Sequence, residues 1–350
     1  TGQRCGSLTA QPLVSVLLLT YNSRDVIERC LHALDRQTYP NVEVVCVDNA
    51  SSDSTPDLVR RRAGVSPTVT LTVNASNTGF ALGMNQALAA SHGDVVVFLN
   101  SDCLLEPDFL ATAVDLLADH PEADALAATV VRLGGVDAPT ERTGRHPLDG
   151  AVLGITPALR VQHKEQTHAL QPTFKANGAC PVLRRSMLDR MAGQFGVPAF
   201  DPVFDTYAED IDFAFRAAAS GAITLCSTDL VAWHVRSVSG GGIRVFDKRG
   251  RMRTNIVAGR YLNCWRHLPL HRALLTQPFL MAQDLGLVAV AASKGDRTAL
   301  RDVLAAWRRL LANAGELRRF RRTHRTWRAF PRGSVNAGEP RKEMVVDLSR

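Results

Sequence analysis

The sequence predicts an α/β fold, a doubly wound and mainly parallel sheet followed by a helical extension. Four apolar, β-branched runs recur between residues 13 and 102, each too short for a helix and each closed by turn residues. Segments with apolar residues at helical spacing separate them. Most of the runs are apolar throughout rather than alternating, which suits a parallel sheet covered on both faces with right-handed crossovers.

The first strand is residues 13–20, and Tyr21-Asn22-Ser23 ends it. Ser23 is placed to cap a helix carrying Val26, Ile27, Cys30, Leu31 and Leu34 at helical spacing. Pro40-Asn41 breaks that pattern before a second strand at 42–48. A polar loop follows, then a helix from Pro56, since proline is tolerated in a first turn. Residues 68–73 form a third strand, and Asn77-Thr78-Gly79-Phe80 leads into a helix through Ala90. The fourth strand, within 93–102, ends in Asn100-Ser101-Asp102, and residues 104–108 are expected to open the next helix.

Polar residues therefore cluster at successive strand ends: Thr20-Tyr21-Asn22, Asp48-Asn49, Asn77 and Asn100-Ser101-Asp102. In a doubly wound sheet all four groups face one crevice at the carboxyl edge, where such folds bind ligands. A carboxylate there can hold a divalent cation against a diphosphate; the alternative for Asp102 is a cap on the following helix. No GxGxxG or GxxxxGK[ST] loop is present, which argues against a dinucleotide enzyme or a P-loop NTPase.

Regularity weakens over 134–171, where Pro139, Pro147, Pro157 and several glycines suggest a long irregular connection. A strand within 177–184 and a helix from Ser186 restore it. Residues 209–219 have helical spacing, with Glu209, Asp210 and Asp212 in the first turn, where the helix dipole by itself favours acidic residues. Two short strands are expected at 223–226 and 230–234. His234 ends the second, beside a glycine-rich loop at 237–242, a position that suits a ligand or phosphate contact.

Helices are expected at 247–267 and 299–322. The latter has Leu300, Val303, Leu304, Trp307, Leu310, Leu311 and Leu317 on its apolar side. Arg308, Arg309, Arg318, Arg319, Arg321 and Arg322 crowd its end. Such a helix suits an anionic membrane interface or packing on the sheet domain with a solvated basic face. The tail from Pro331 is expected to be poorly ordered.

With 350 residues, 45% hydrophobic and 21% charged, the chain has the composition of a soluble globular protein able to bury one large core or two smaller ones. A net charge of +7 fits an anionic partner, but no recognised module points to nucleic acid. Seven cysteines, an odd number without CxxC spacing, suggest reduced core residues and no disulfide or zinc framework. The polar start shows no signal peptide. The apolar stretch 278–292, broken by Gln283 and Asp284, falls short of the roughly 20 residues a membrane span needs. The expectation is a cytoplasmic protein, peripheral on the inner face of a membrane if it touches one.

In this combination the chain resembles the family 2 glycosyltransferases, inverting enzymes of the GT-A (Rossmann-like) fold, and especially their rhamnosyltransferase-like branch. The matching segments run in the family's order over roughly residues 13–240. They are Val14-Ser15-Val16 through Tyr21-Asn22, Val47-Asp48-Asn49-Ala50-Ser51-Ser52-Asp53, Asn77-Thr78-Gly79-Phe80 through Asn85, and Leu99-Asn100-Ser101-Asp102. Gly178-Ala179, Glu209-Asp210-Ile211-Asp212-Phe213 and Trp233-His234 follow, and Arg253-Thr254-Asn255 also looks like that branch. The resemblance implies a glycosyltransferase domain at 12–245, with a nucleotide-sugar half at about 12–132 and an acceptor half at about 172–245. A basic helical extension at 246–330 and a tail at 331–350 complete it.

The resemblance also implies roles. Asp48 would accept a hydrogen bond from the nucleotide base, and Thr20, Tyr21 and Asn22 would pack beside base and ribose. Asn77, Gly79, Asn85, Asn100 and Ser101 would line the nucleotide-sugar pocket. Asp102, the last residue of the family's metal motif, and His234 would contact Mg²⁺ or Mn²⁺; here the motif reads Asn-Ser-Asp in place of Asp-x-Asp, so one carboxylate remains. Asp210 would be the general base and Glu209 its supporting carboxylate, though spacing cannot rank them against Asp212. The implied donor is dTDP-rhamnose or a UDP-sugar, and the acceptor a cell-surface glycan or lipid-linked sugar. An anionic membrane would be met by the basic C-terminal helices. A soluble natural-product acceptor, or a degenerate module binding nucleotide or glycan without turnover, are the other readings.

Overall fold

A computed structural model describes residues 11–66, 68–140, 145–155, 161–164, 166–235, 245–329 and 345–347. Strands β1 (Val14–Thr20), β2 (Val42–Asp48), β3 (Val69–Val73) and β4 (Val95–Asn100) alternate with helices α1 (Arg24–Asp35), α2 (Thr55–Ala63) and α3 (Phe80–Ala89). β1 pairs in parallel with β2 and β4, and β2 with β3. The register sets Thr20 opposite Asp48 and Leu19 opposite Asn100, so the polar strand ends lie level.

After β4 the chain forms β5 (Cys103–Leu105) before helix α4 (Phe109–Asp119). The helix expected from residue 104 therefore starts later. The apolar Cys103, Leu104 and Leu105 pair with a strand instead, and Pro107 disfavours helical backbone at Glu106. Strand β6 (Ala125–Arg132) follows.

The connection expected to be irregular carries four short strands: β7 (Arg145–Gly150), β8 (Leu153–Ile155), β9 (Val161–His163) and β10 (Leu170–Pro172). Three of them have only three residues, too few to show a period in the sequence. β7 folds back antiparallel on β6, and β8 pairs with β9. Residues 141–144, 156–160 and 165 of this connection lie outside the described residues.

Next come β11 (Val182–Arg184), α5 (Arg185–Phe195), α6 (Glu209–Ala219) and β12 (Thr224–His234). The two strands expected at 223–226 and 230–234 are one, because pairing with β6 resumes after an irregularity between Ser227 and Val231. The sheet order is β10-β12-β6-β11-β4-β1-β2-β3. β11 opposes both β4 and β6, so those two run parallel, and β12 is parallel to β6. The carboxyl ends of β1, β2, β4 and β12 thus share one edge.

Alternating residues of β1 feed two cores. Val16 and Leu18 pack with Ile27 of α1 and Phe109 of α4, while Leu17 packs with Met84 of α3 and Met187 of α5. Each such side chain contributes about 1.5–3 kcal/mol on burial, enough to fix which face every strand presents.

The C-terminal region is α7 (Gly250–His267), α8 (Leu270–Ser293), α9 (Ala299–Ala312) and α10 (Ala314–His324). The single helix expected at 299–322 is broken at Asn313, whose side chain bonds the carbonyl of Arg309. Asp284, which interrupts the apolar stretch in the sequence, is fully buried. It accepts from Arg260 (2.5 Å), Tyr261 (2.6 Å) and Trp307 (3.0 Å), so it marks the side of α8 that faces the bundle. Pro278 lies inside α8 rather than at its start. The helix is consequently 24 residues long, with a mean hydropathy of 1.4 over its most apolar window, and by length and composition alone it could cross a membrane.

Cys30, Cys46, Cys103, Cys180, Cys226 and Cys264 are free and buried, and Cys5 lies outside the described residues. The glycine-rich loop at 237–242 is outside them as well. Within the tail, β13 (Val345–Asp347) pairs antiparallel with β7, where disorder was expected. These three residues include two valines able to join a strand edge.

Candidate active site

At the shared edge, Asp48 ends β2 with no solvent exposure. Its carboxylate accepts from the Thr20 hydroxyl (2.7 Å), the Ser51 hydroxyl (2.6 Å) and the Ser51 N–H (2.8 Å). Asn22, at φ 49°, accepts from the Ser52 N–H at 2.8 Å, and Tyr21 is exposed beside it. Asn49 donates to the Gly79 carbonyl (2.9 Å) and accepts from the Thr78 hydroxyl (2.9 Å), which locks the β2 end to the start of α3. Asn77 accepts from the Gly79 N–H at 2.9 Å. Asn85 is committed to the backbone of Phe200, donating to its carbonyl (2.6 Å) and accepting from its N–H (3.0 Å). The N–H of Asn100 donates to the Ala179 carbonyl (2.9 Å).

Ser23 precedes α1 but makes no capping bond with its side chain; its hydroxyl meets that of Ser101 at 3.0 Å. Asp102, likewise, does not cap α4. Its Oδ1 faces His234 Nε2 at 3.1 Å, while His234 Nδ1 faces Asp149 Oδ2 of β7 at 2.6 Å. All three residues are buried. Burial works against charge on His234, but the hydrogen bonds to Asp102 and Asp149 outweigh it and raise its pKa to about 9.

This donor set fits a divalent cation. Adjacent ligands of an octahedral ion, each about 2.1 Å from the metal, lie roughly 3 Å apart, close to the Asp102–His234 separation. Asp149 orients the imidazole through its other nitrogen, as outer-shell carboxylates do at metal-binding histidines. Among the described residues no group of three or more acidic, histidine or cysteine side chains closes around one point. A cation here would complete its coordination with phosphate and water, the habit of Mg²⁺.

The acidic motif approaches the same edge from α6. Asp205, Tyr207 and Ala208, just ahead of it, all have positive φ (64°, 75° and 68°). Non-glycine residues hold such angles only where their surroundings enforce them. Here the Asp205 carbonyl accepts from Ala81 N–H (2.8 Å) and the Thr206 hydroxyl from Phe80 N–H (3.1 Å), satisfying donors at the start of α3. Gly79 permits this approach, since a Cβ there would lie 1.9 Å from Asp205 Oδ1. Arg251 of α7 grips the Asp205 carboxylate through two bonds of 2.7 Å and reaches the Asn77 carbonyl at 3.1 Å.

The three acids of the motif have separate environments. Asp212 is fully buried and meets Arg216 (2.7 Å), Arg266 (3.0 Å) and His267 (3.0 Å). Burial opposes its charge, yet these partners hold its carboxyl far below the usual carboxylate range. Glu209 is also buried, and its Oε2 has no hydrogen-bond partner among the described residues. Burial first, and the charge of Asp210 second, push it up to about 8. Asp210 alone keeps a third of its side chain exposed (34%), with buried Lys175 at 2.6 Å. A Cβ built at Gly178 would lie 3.6 Å from Asp210 Oδ2, and the neighbouring Ala179 bonds Asn100. Asp210 therefore sits against the carboxyl end of β4.

A sequence profile described as glycosyl transferase family 2 matches residues 15–191, half of the chain. The chain belongs to that family. EpsH of Bacillus subtilis, described as a putative glycosyltransferase, is 27% identical over 210 residues, 59% of this chain and 56% of that protein. The N-acetylglucosaminyl-diphospho-decaprenol L-rhamnosyltransferase of Mycobacterium tuberculosis is 26% identical over 250 residues, 65% of this chain and 78% of the relative. For TuaG, a putative teichuronic acid biosynthesis glycosyltransferase of Bacillus subtilis, the match is 32% identical and spans 31% of this chain and 44% of that protein. The chain thus spans about half the length of several curated relatives it matches. Among solved structures, the mannosyltransferase PcManGT of Pyrobaculum calidifontis with GDP-Man and Mn²⁺ is 25% identical with a TM-score of 0.54, covering 92% of this chain and 86% of that one.

As a family 2 glycosyltransferase the chain has the mainly parallel GT-A-type sheet, with its polar strand ends gathered at one edge. Sequence reasoning did not find Asp149, Lys175, Asp205 or Arg251. Asp149 and Lys175 lie in or beside the weakly patterned connection, and Arg251 lies 46 residues from its partner. The one local signal was the position of Lys175, three residues before Gly178-Ala179.

Proposed function

We propose that this family 2 glycosyltransferase transfers a sugar with inversion from a nucleoside-diphosphate sugar to an acceptor hydroxyl, with Asp210 as general base. The observation that carries this reading is the separation of the acids on α6: Asp212 is closed off, Glu209 is buried, and Asp210 remains accessible beside Lys175. Lys175 fixes the orientation of the Asp210 carboxylate. The acceptor oxygen attacks the anomeric carbon and its proton passes to Asp210, while the bond from that carbon to the diphosphate oxygen breaks on the opposite face. Thr20, Tyr21, Asn22 and Asp48 hold the base and ribose, and Asn77, Gly79, Asn100 and Ser101 form the wall next to them. Asp102 and His234 would hold Mg²⁺ or Mn²⁺, which when bound stabilises the charge growing on the leaving diphosphate. The solved mannosyltransferase with GDP-Man and Mn²⁺ supports the metal. The relative named as an L-rhamnosyltransferase acting on N-acetylglucosaminyl-diphospho-decaprenol supports a rhamnose donor and a lipid-linked acceptor; our reading of the donor is dTDP-rhamnose, with a UDP-sugar next.

The test is thermal stability against UDP, dTDP, GDP and CDP, each with and without Mn²⁺. A ligand at a hundred times its dissociation constant adds about 2.7 kcal/mol, which moves a melting temperature by a few degrees or so. A metal-dependent shift with one base is the expected result. No shift with any nucleotide at millimolar concentration would defeat the reading.

A further inference from the structure

The outward face of α8 has an unusual composition. Asp284, Leu280 and Leu287 face the bundle, and the opposite side exposes Leu270 (56%), Leu274 (53%), Leu275 (77%), Phe279 (50%) and Leu285 (65%). From Leu274 to Ala292 every exposed position is apolar, glycine or proline, a stripe about 27 Å long at the helical rise. Only 22% of the most apolar window is buried, so this is not the core helix of a bundle. A patch of this extent marks a contact surface.

The charge around the stripe says what it meets. Between residues 270 and 315 the exposed charged side chains are Arg272, Lys294, Arg297, Arg301 and Arg308, all basic. The three acids in the same span, Asp284, Asp296 and Asp302, are buried, and each binds a bundle arginine: Arg260 for the first and Arg253 for the other two. A long neutral apolar stripe edged mainly with cations, the exposed Asp247 in the turn packed against α8 being the exception, matches a bilayer surface of anionic headgroups over hydrocarbon. Asp284 ties α8 to α7 and α9, so the helix lies along the surface instead of crossing it.

The basic end of α9 and α10 is a weaker candidate. Arg309 bonds Asn255 (2.5 Å), Arg321 bonds the Leu268 carbonyl (2.8 Å), and Trp307 turns inward to Asp284.

We infer that α8 is a membrane-docking helix that lies in the headgroup region of an anionic bilayer. This deepens the lipid-linked acceptor reading and takes its functional meaning from it, but vesicle binding needs neither donor nor turnover, so either can fail without the other.

The experiment is co-flotation of the full chain with vesicles of phosphatidylcholine plus phosphatidylglycerol, and of phosphatidylcholine alone, at low and high salt. Binding to the mixed vesicles that weakens with salt is expected. Leu275→Glu with Leu285→Glu, both at exposed positions, should reduce it at least tenfold with an unchanged melting temperature. Arg297→Glu with Arg301→Glu should abolish the preference for the anionic lipid. Vesicle binding that survives Leu275→Glu with Leu285→Glu overturns the inference. So does light scattering that shows a dimer dissolved by that pair of substitutions while vesicle binding persists, because the stripe would then be a self-contact.

Discussion

The clusters around Asp212 and Asp102 are both buried, yet they are built for different ends. Asp212 meets two guanidinium groups and an imidazole, Arg266 is shared with Asp201 (2.7 Å), and His267 stacks on Phe215 with ring centroids 4.5 Å apart. Its charges come from α6 and α7, and the cluster fastens the sheet domain to the C-terminal helices. Asp102 and Asp149 instead share one imidazole, with Arg132 at 3.7 Å from Asp149. That cluster is balanced by protonating His234, and an imidazole proton can be exchanged for a metal ion, whereas a guanidinium cannot be exchanged at all. The two clusters therefore differ in their count of fixed cations and not in burial, and that difference is what favours the proposed metal role for Asp102 over a purely structural one.

The largest effect expected is on turnover. Asp210→Asn should lower it by about 10²–10⁴-fold, the range for loss of a general base, with nucleotide affinity and melting temperature nearly unchanged. Steady-state assays alongside nucleotide titration would check this; equal loss of binding and turnover would mean that Asp210 holds the donor. Asp212→Ala, two residues on, should behave in the opposite way. Removing one partner from a buried charged cluster costs about 3–5 kcal/mol, visible as a lower urea midpoint. A variant that folds normally but does not turn over would place Asp212 in the chemistry.

Asp149→Asn probes the other cluster. If Asp149 orients His234, Mn²⁺ affinity measured by calorimetry with a nucleoside diphosphate present should fall about 10–100-fold. Unchanged affinity would make the Asp102 cluster a closed one like that of Asp212.

The two clusters were unequally legible in the sequence. β1, β2 and β4 announce themselves because they are buried on both faces, and their polar ends therefore stand out as Thr20, Asp48 and Asn100-Ser101-Asp102. The acidic motif was visible, but its division of labour was not. Arg216, four residues on in α6, is the one partner of Asp212 that local spacing could show; Arg266 and His267 lie 54 and 55 residues away on α7, where no local pattern reaches. Asp149 was hidden for a related reason: it lies 85 residues before His234, in β7, whose Arg-His-Pro-Leu-Asp-Gly run has neither β-branched residues nor apolar alternation. β12 looked like two strands because Thr228 and Asp229 interrupt its apolar run, whereas pairing with β6 resumes at Val231. Asp284 resembled a break in an apolar segment because its partners are on α7 and α9.

The smallest effect expected belongs to Glu209, whose environment is intermediate: buried like Asp212 but without a cation in contact. Its pKa is raised from an ordinary 4.5 to about 8, so between those values the folded protein keeps a proton that the unfolded chain has released. A raised folded pKa means that the stability Glu209 contributes is fully present below pH 4.5 and is lost as the pH rises through about 8. Glutamine mimics the protonated carboxyl and cannot ionise. Glu209→Gln should therefore match the parent near pH 4.5 and exceed its stability by at least about 1 kcal/mol at pH 8, in urea melts across that range. If the glutamine variant is less stable by the same amount at every pH, Glu209 is ionised in the folded protein. Its carboxylate would then belong with the paired acids, and the contrast within α6 would reduce to exposure alone.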